Sequence, residues 1–132
     1  MPTFSLNSAF KAKENNTLKK WAIDFLTEEG NNTKLAKIIN DTTCVRIDLV
    51  EYPLLNLTRI TGPEKDMIFH EDKIIWKQRI QSLQELINKG YELPPLIATN
   101  FWSDLHISDG CHRHEALLRN GIKKYWTIVF EK

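Results

Sequence analysis

Apolar side chains recur at steps of three and four residues in four parts of this chain, and that spacing is typical of amphipathic helices. The pattern predicts helices at residues 16–29, 32–40, 72–89 and 111–120. The capping residue expected at the start of the first helix is Asn16. A glycine follows the first, third and fourth helices, at Gly30, Gly90 and Gly121, and glycine commonly ends a helix.

Shorter segments show a period of two or a short apolar run, and both are typical of strands. Val45, Ile47 and Leu49 alternate with the residues between them, and Pro53 ends this first strand. The other predicted elements are strands at residues 96–99, 105–108 and 125–130, one helical turn at residues 54–59 and a loop at residues 62–64. The second and third strands should pair as a hairpin.

The length of the chain, 132 residues, suits one compact domain with a helical appendage. Its composition, 42% hydrophobic and 27% charged, is that of a globular protein and excludes wholesale disorder. Near residue 43, after two helices with polar outer faces, the spacing of apolar residues changes from steps of three and four to a period of two. We therefore expect an N-terminal helical extension over residues 1–43 and a second unit over residues 44–132.

Charge and hydropathy limit the partners and the compartment. Eighteen Lys and Arg against 17 Asp and Glu give a net charge of +1, too even for the basic field of an autonomous nucleic-acid binder. The apolar runs fall far short of the roughly 20 residues that span a bilayer, and the N-terminus lacks a secretory pattern. We expect a cytoplasmic protein with no membrane or DNA partner. Cys44 and Cys111 lack metal-type spacing and are expected to be reduced.

The candidate binding motif is the strand, glycine turn and helix at residues 109–114, which read Asp-Gly-Cys-His-Arg-His. The first amide groups of a helix are unpaired and carry the positive end of its dipole, so they favour an anion. Arg113 can add a bidentate contact to a phosphate, and His112 or His114 can donate a hydrogen bond. The motif therefore predicts a phosphate site. A solvated polar helix start is the alternative, because short glycine turns are common.

Four residues are candidates for catalysis. Asp109 can bind the metal on a nucleotide, accept a proton from a hydroxyl, or cap the following helix. Cys111, at a helix N-terminus beside basic residues, would have a lowered thiol pKa and could act as a nucleophile, although we expect a buried, inert thiol. Glu51 and Glu64 lie at the ends of elements, where either could be a second carboxylate in the same cleft or a solvated side chain.

The motif resembles the boxes of the ParB/sulfiredoxin superfamily. At this turn ParB N-terminal domains carry a glycine-acid-arginine-arginine box, free serine kinases carry Asp-Gly-His-His-Arg, and sulfiredoxins carry Gly-Gly-Cys-His-Arg. Residues 109–113 look like a blend of the last two. The resemblance extends from Val45 to Phe130, and residues 59–64 and 94–97 make the chain similar to small stand-alone bacterial ParB-like proteins. In that group Asn commonly replaces Cys111, so a catalytic thiol is not general to it.

The resemblance implies an α+β fold, with a small mixed sheet and packed helices, that binds nucleotide phosphates through Gly110, His112 and Arg113. We expect Cys111 and His114, in the same turn, to contribute to this phosphate site. It implies ATP or ADP rather than CTP, with Mg²⁺. An ATP- or ADP-dependent phosphotransferase acting on a small hydroxyl-bearing metabolite fits best, with Asp109 holding Mg²⁺ or activating the acceptor and Glu51 or Glu64 as partner base. A sulfiredoxin-like ATP-dependent reductase would instead use Cys111. A ParB-like switch on DNA would need a DNA reader after the box, which we do not expect.

A non-enzymatic module is the other class of function that the sequence allows. In it the same cleft senses a nucleotide or a phosphorylated metabolite, and the N-terminal helices recruit a protein. The lysines of these helices, Lys19, Lys20, Lys34 and Lys37, either contact nucleic acid or form a mixed solvated face with the nearby acidic residues. Trp102, Tyr125 and Trp126 either stack on a base or belong to the core.

Overall fold

Residues 4–132, which a computed structural model describes, form five α-helices and two β-sheets. The helices are α1 (Leu6–Glu14), α2 (Leu18–Glu28), α3 (Thr33–Asp41), α4 (Lys73–Asn88) and α5 (Cys111–Arg119). The strands are β1 (Arg46–Pro53), β2 (Thr61–Gly62), β3 (Phe69–His70), β4 (Leu96–Thr99), β5 (His106–Asp109) and β6 (Lys124–Glu131). The expected α+β fold is confirmed. No helix in this part of the chain is both long and apolar enough to cross a membrane.

The main sheet has four strands in the order β1-β6-β4-β5. β6 runs antiparallel to β1 over eight residues and parallel to β4, and β4 forms the predicted antiparallel hairpin with β5. The two-residue strands β2 and β3 pair in parallel as a separate small sheet. This order puts β5 at one edge of the main sheet, and α5 begins directly after it.

Helices cover both faces of the main sheet. α1, α2 and α3 pack on one face against the fully buried side chains of Leu49, Ile97, Ile128 and Phe130. α4 and α5 pack on the other face against Leu96, Ala98 and Ile107. Because successive side chains of a strand point to opposite faces, neighbouring residues of β4 belong to different cores. The first three residues of the predicted N-terminal extension lie outside the described part of the chain.

The predicted helices and strands form within a few residues of their expected bounds, and one expected cap is wrong. Asn16 does not cap α2. It has φ 58° and donates its backbone N–H to Lys13, so it closes α1 in the left-handed conformation that often follows a helix. Thr17 is the residue before α2. α1 and the β2–β3 pair were not predicted.

Candidate functional site

The turn between β5 and α5 requires a glycine. Gly110 has φ 105°, and a Cβ there would lie 2.8 Å from Nη2 of Arg113 and 2.9 Å from Cδ2 of Leu96. Gly110 is also the N-cap residue of α5, and no side chain caps the helix. The alternative role of Asp109 as a cap is therefore not adopted. The first-turn amide groups of α5 are left without a side-chain acceptor.

Two cavities meet at the start of α5. The larger, about 780 Å³, and the smaller, about 710 Å³, are both lined by Asp109, Gly110 and His112. The larger cavity lies among α3, the segment of residues 58–69, the β4–β5 connection and the start of α5. The smaller lies among the end of α2, the face of α4 and Arg113. Three of the predicted site residues thus border a ligand-sized space on two sides.

The two cavities differ in chemistry. Exposed apolar side chains, Ile68, Phe69 and Trp102, border the larger one together with Lys34 and Arg59. The smaller one has a polar wall on α4, made of Gln78, Arg79 and Ser82. Apolar and aromatic walls suit a planar ring, whereas the polar wall suits charged or hydroxyl-bearing groups.

Arg113 is held in place by the protein and borders the smaller cavity. Its Nη2 donates to the backbone carbonyl of Pro95 at 3.0 Å and lies 3.6 Å from Oδ2 of Asp109. The guanidinium carbon is 5.5 Å from the ring centre of Phe25, and the side chain is 15% exposed. Its Nε is buried without a hydrogen-bond partner. These contacts fix the position of the cation and leave a small part of it accessible.

His112 pairs with a carboxylate that the sequence analysis missed. Its Nε2 lies 2.6 Å from Oε2 of Glu71, and its ring centre lies 4.9 Å from that of Trp76. Arg79 Nε lies 3.6 Å from the other oxygen, Oε1, of Glu71. Glu71 is 41 positions from His112 in sequence and directly precedes the N-cap residue of α4, so no local pattern marks it as a partner.

Cys111 and His114 face the protein interior. Cys111 lines the larger cavity but is only 5% exposed, and burial raises the pKa of its thiol, opposite to the lowering expected from the helix N-terminus. His114 is 4% exposed, lines neither cavity, and lies with Nε2 2.7 Å from the carbonyl oxygen of Leu54. Burial lowers the pKa of His114. The expected phosphate contact from His114 is therefore wrong, because the side chain is part of the core.

Glu51 and Glu64 are not brought to either cavity. Glu51 lies on β1, with Oε1 3.3 Å from Nζ of Lys124. Glu64 lies with Oε1 2.6 Å from Nη2 of Arg59, and this hydrogen bond lowers the pKa of Glu64. Arg59, not Glu64, borders the larger cavity.

Asp109 is the acidic residue that both cavities share. Its Oδ1 lies 3.5 Å from Nδ2 of Asn32, and its side chain is 15% exposed. Residues 4–132 contain no group of three or more His, Cys, Asp or Glu side chains that could hold a metal. Asp109 could offer one carboxylate oxygen to a magnesium ion, which prefers oxygen ligands.

Comparisons with known proteins give structural matches but no sequence match. No family model matches the chain, and no curated protein matches it. Its structure is similar to sulfiredoxin from Arabidopsis thaliana, with 20% identity, a TM-score of 0.48 and coverage of 64% of this chain and 86% of that one. It is also similar to a conserved hypothetical protein from Pyrococcus furiosus, with 14% identity, a TM-score of 0.45 and coverage of 68% and 34%.

Proposed function

We propose that this chain binds the phosphate groups of a nucleotide at the N-terminus of α5 and transfers a phosphoryl group to a small hydroxyl-bearing acceptor. The observation that supports this most is the position of the uncapped start of α5, where the two cavities meet at Asp109, Gly110 and His112. Unpaired amide groups and the positive end of the helix dipole favour a bound anion there.

The charges around this helix start support a phosphate rather than a neutral ligand. Arg113 and Arg79 border the smaller cavity, and Arg59 and Lys34 border the larger one. Arginine is always charged and matches phosphate oxygens with two parallel donors. Magnesium carried by the nucleotide would neutralise further charge, with Asp109 as the ligand from the protein.

The different walls of the cavities suggest an orientation for the two substrates. The base of the nucleotide would lie in the larger cavity against Phe69 or Trp102, since aromatic rings stack well on planar bases. The acceptor would lie in the smaller cavity, where Gln78 and Ser82 offer hydrogen bonds. The phosphates would then lie between them, at the start of α5.

A thermal-shift screen tests the binding step. ATP, ADP and CTP are compared with adenosine, which lacks phosphate, each with and without Mg²⁺. A ligand at 100 times its dissociation constant adds about 2.7 kcal/mol to stability, a shift that is easily measured. We expect stabilisation by ATP or ADP and none by adenosine. Equal shifts with ATP and adenosine, or none with any nucleotide, would contradict a phosphate site.

A non-enzymatic sensor is the second candidate, because neither of the expected partner bases, Glu51 and Glu64, borders a cavity. The two candidates differ in product formation. Phosphorus NMR of ATP with Mg²⁺ and a panel of small alcohols and hydroxy acids should show a new phosphate ester for a phosphotransferase and only bound ATP for a sensor.

A further inference from the structure

The contact between Glu71 and His112 fixes which ring nitrogen of the imidazole carries hydrogen. An ionised carboxylate can only accept hydrogen bonds, so at 2.6 Å Nε2 of His112 must be the donor to Oε2 of Glu71. Nδ1 is then the free nitrogen, and no residue in the described part of the chain is hydrogen-bonded to it. The ring of Trp76 packs against the imidazole at 4.9 Å and limits its rotation.

The surroundings of the pair make the carboxylate a strong partner. Glu71 is only 14% exposed, and its Oε1 is buried without a hydrogen bond, with Nε of Arg79 3.6 Å away. The guanidinium carbon of Arg59 lies 4.7 Å from the ring centre of Trp76, the residue that packs against His112. With few waters to compete, the hydrogen bond to His112 is the main polar contact of this carboxylate.

We infer that His112 is the proton acceptor of the proposed phosphoryl transfer and that Glu71 is its positioning residue. This rests on the proposed function. His112 borders both cavities, so it lies where a phosphate and an acceptor hydroxyl would meet. The other candidate bases fit less well, because Glu51 and Glu64 border neither cavity and Asp109 is close to the cation of Arg113.

The step conserves atoms and electrons. The acceptor oxygen forms a bond to the γ-phosphorus of the nucleoside triphosphate while the bond from that phosphorus to the bridging oxygen breaks. The bridging oxygen keeps the electron pair and leaves with the nucleoside diphosphate. The hydroxyl proton passes to Nδ1 of His112, which then carries a positive charge opposite the carboxylate of Glu71 and later gives the proton to water.

Acylation by diethyl pyrocarbonate, followed site by site with mass spectrometry, tests the pair without knowledge of the acceptor. The reagent attacks accessible imidazole nitrogens that lack a proton. We expect His112 to react faster than the more exposed His70, because a hydrogen-bonded carboxylate makes Nδ1 a better nucleophile. Glu71→Gln should slow the reaction at His112 roughly tenfold and leave that at His70 unchanged.

The matched control is Glu85→Gln, which removes one negative charge from the exposed side of α4 and should leave both rates unchanged. His114 reports on folding in every variant, since its buried ring reacts only when the core opens. If Glu71→Gln exposes His114, Glu71→Ala is measured in its place with the same expectation. Equal rates at His112 with and without the Glu71 carboxylate in a folded variant would overturn the inference.

Protection by ATP with Mg²⁺ separates this inference from the proposed function. Protection of His112 together with slowing in Glu71→Gln supports both. If Glu71→Gln slows the reaction at His112 but ATP gives neither protection nor a thermal shift, the proposed nucleotide binding is wrong. The role of His112 in phosphoryl transfer is then overturned as well, even though the ring is reactive. Protection without slowing leaves nucleotide binding in place and overturns the role of Glu71.

Discussion

The side chain of His114 links the stability of this protein to pH. Burial lowers its pKa in the folded state, while in the unfolded chain it returns to about 6.5. His114 therefore binds a proton at a lower pH in the folded protein than in the unfolded chain. The contribution of the neutral, buried ring to the free energy of unfolding is fully present above the pKa of the unfolded chain. It is lost as the pH falls below that pKa, by at most about 1.4 kcal/mol per pH unit for one proton.

Urea unfolding near pH 7 and near pH 5 measures this dependence. We expect the free energy of unfolding to be lower at the acidic pH, and His114→Gln to reduce the difference because the variant has no titrating ring. The amide of Gln can still donate to the carbonyl of Leu54, so the fold should persist. An equal difference in the wild type and the variant would assign the pH dependence to other groups.

Arg113 contributes to both folding and the proposed phosphate site, and two substitutions separate these contributions. Arg113→Ala removes the hydrogen bond to Pro95, the contact with Phe25 and the charge beside the smaller cavity. A hydrogen bond to a charged group contributes about 1.5–3 kcal/mol, so we expect ATP affinity to fall roughly tenfold or more. Arg113→Lys keeps the charge and should lose less affinity.

Calorimetric titration gives the affinity, and urea unfolding of the same variants gives the stability. ATP affinities are compared only among variants that are folded at the titration temperature. If folded Arg113→Ala binds ATP as tightly as the wild type, the guanidinium is a structural cation and the phosphate site has been placed wrongly.

The candidate site was predictable only in part from single residues. The turn at residues 109–113 could be predicted from the local sequence, because glycine is the residue that most readily adopts the positive φ found at Gly110. The inward direction of His114 also had a signal, since it lies three positions before Leu117, which is buried, and residues at this spacing share a helix face. Glu71 had none, because its contact with His112 exists only in the folded chain.

At the scale of elements, the length of the element and of its apolar stripe decided what could be predicted. α4 has a long apolar stripe, and its cap Asp72 accepts hydrogen bonds from the amides of Ile74 and Ile75. α1 is short and its buried residues are mostly alanine, so its pattern is weak, although Ser5 and Ser8 form a capping box. The two-residue strands β2 and β3 are too short to show any period.

The side chain of Arg59 makes contacts within the segment of residues 58–71, which walls the larger cavity, and also from this segment to α4 and α5. This side chain hydrogen-bonds Glu64 at 2.6 Å and the carbonyl of Thr61 at 3.0 Å, lies 3.7 Å from Glu115 on α5, and stacks on Trp76. Because Arg59 is only 14% exposed, these contacts are less screened than surface ion pairs.

Arg59→Met should loosen this segment while the sheet stays intact. We expect faster amide hydrogen exchange over residues 60–71, a loss of stability on the order of 1 kcal/mol or more, and faster alkylation of Cys111, which the segment covers. Arg46→Met is the control, because Arg46 forms a half-exposed pair with Glu131, worth about 0–1 kcal/mol. Unchanged exchange over residues 60–71 in Arg59→Met would show that packing, and not this cation, holds the segment.

At the scale of the whole molecule, the N-terminal helices complete both the core and the cavities. Phe25 and Glu29 of the α2 region line the smaller cavity, and Leu35 and Ile38 of α3 line the larger one. The same helices cover one face of the main sheet. The proposed ligand would therefore contact both units that the sequence analysis separated at residue 43.

The predicted division at residue 43 can be tested by removing residues 1–43. The deletion exposes four side chains that are now fully buried, Leu49, Ile97, Ile128 and Phe130. Burial of one such side chain contributes about 1.5–3 kcal/mol, so their exposure costs roughly 6–12 kcal/mol, close to the entire stability of a typical domain. We therefore expect residues 44–132 alone to lack a cooperative thermal transition by circular dichroism. Adding a peptide of residues 1–43 should restore both the transition and nucleotide binding, whereas a fragment that unfolds cooperatively by itself would establish residues 44–132 as an independent domain.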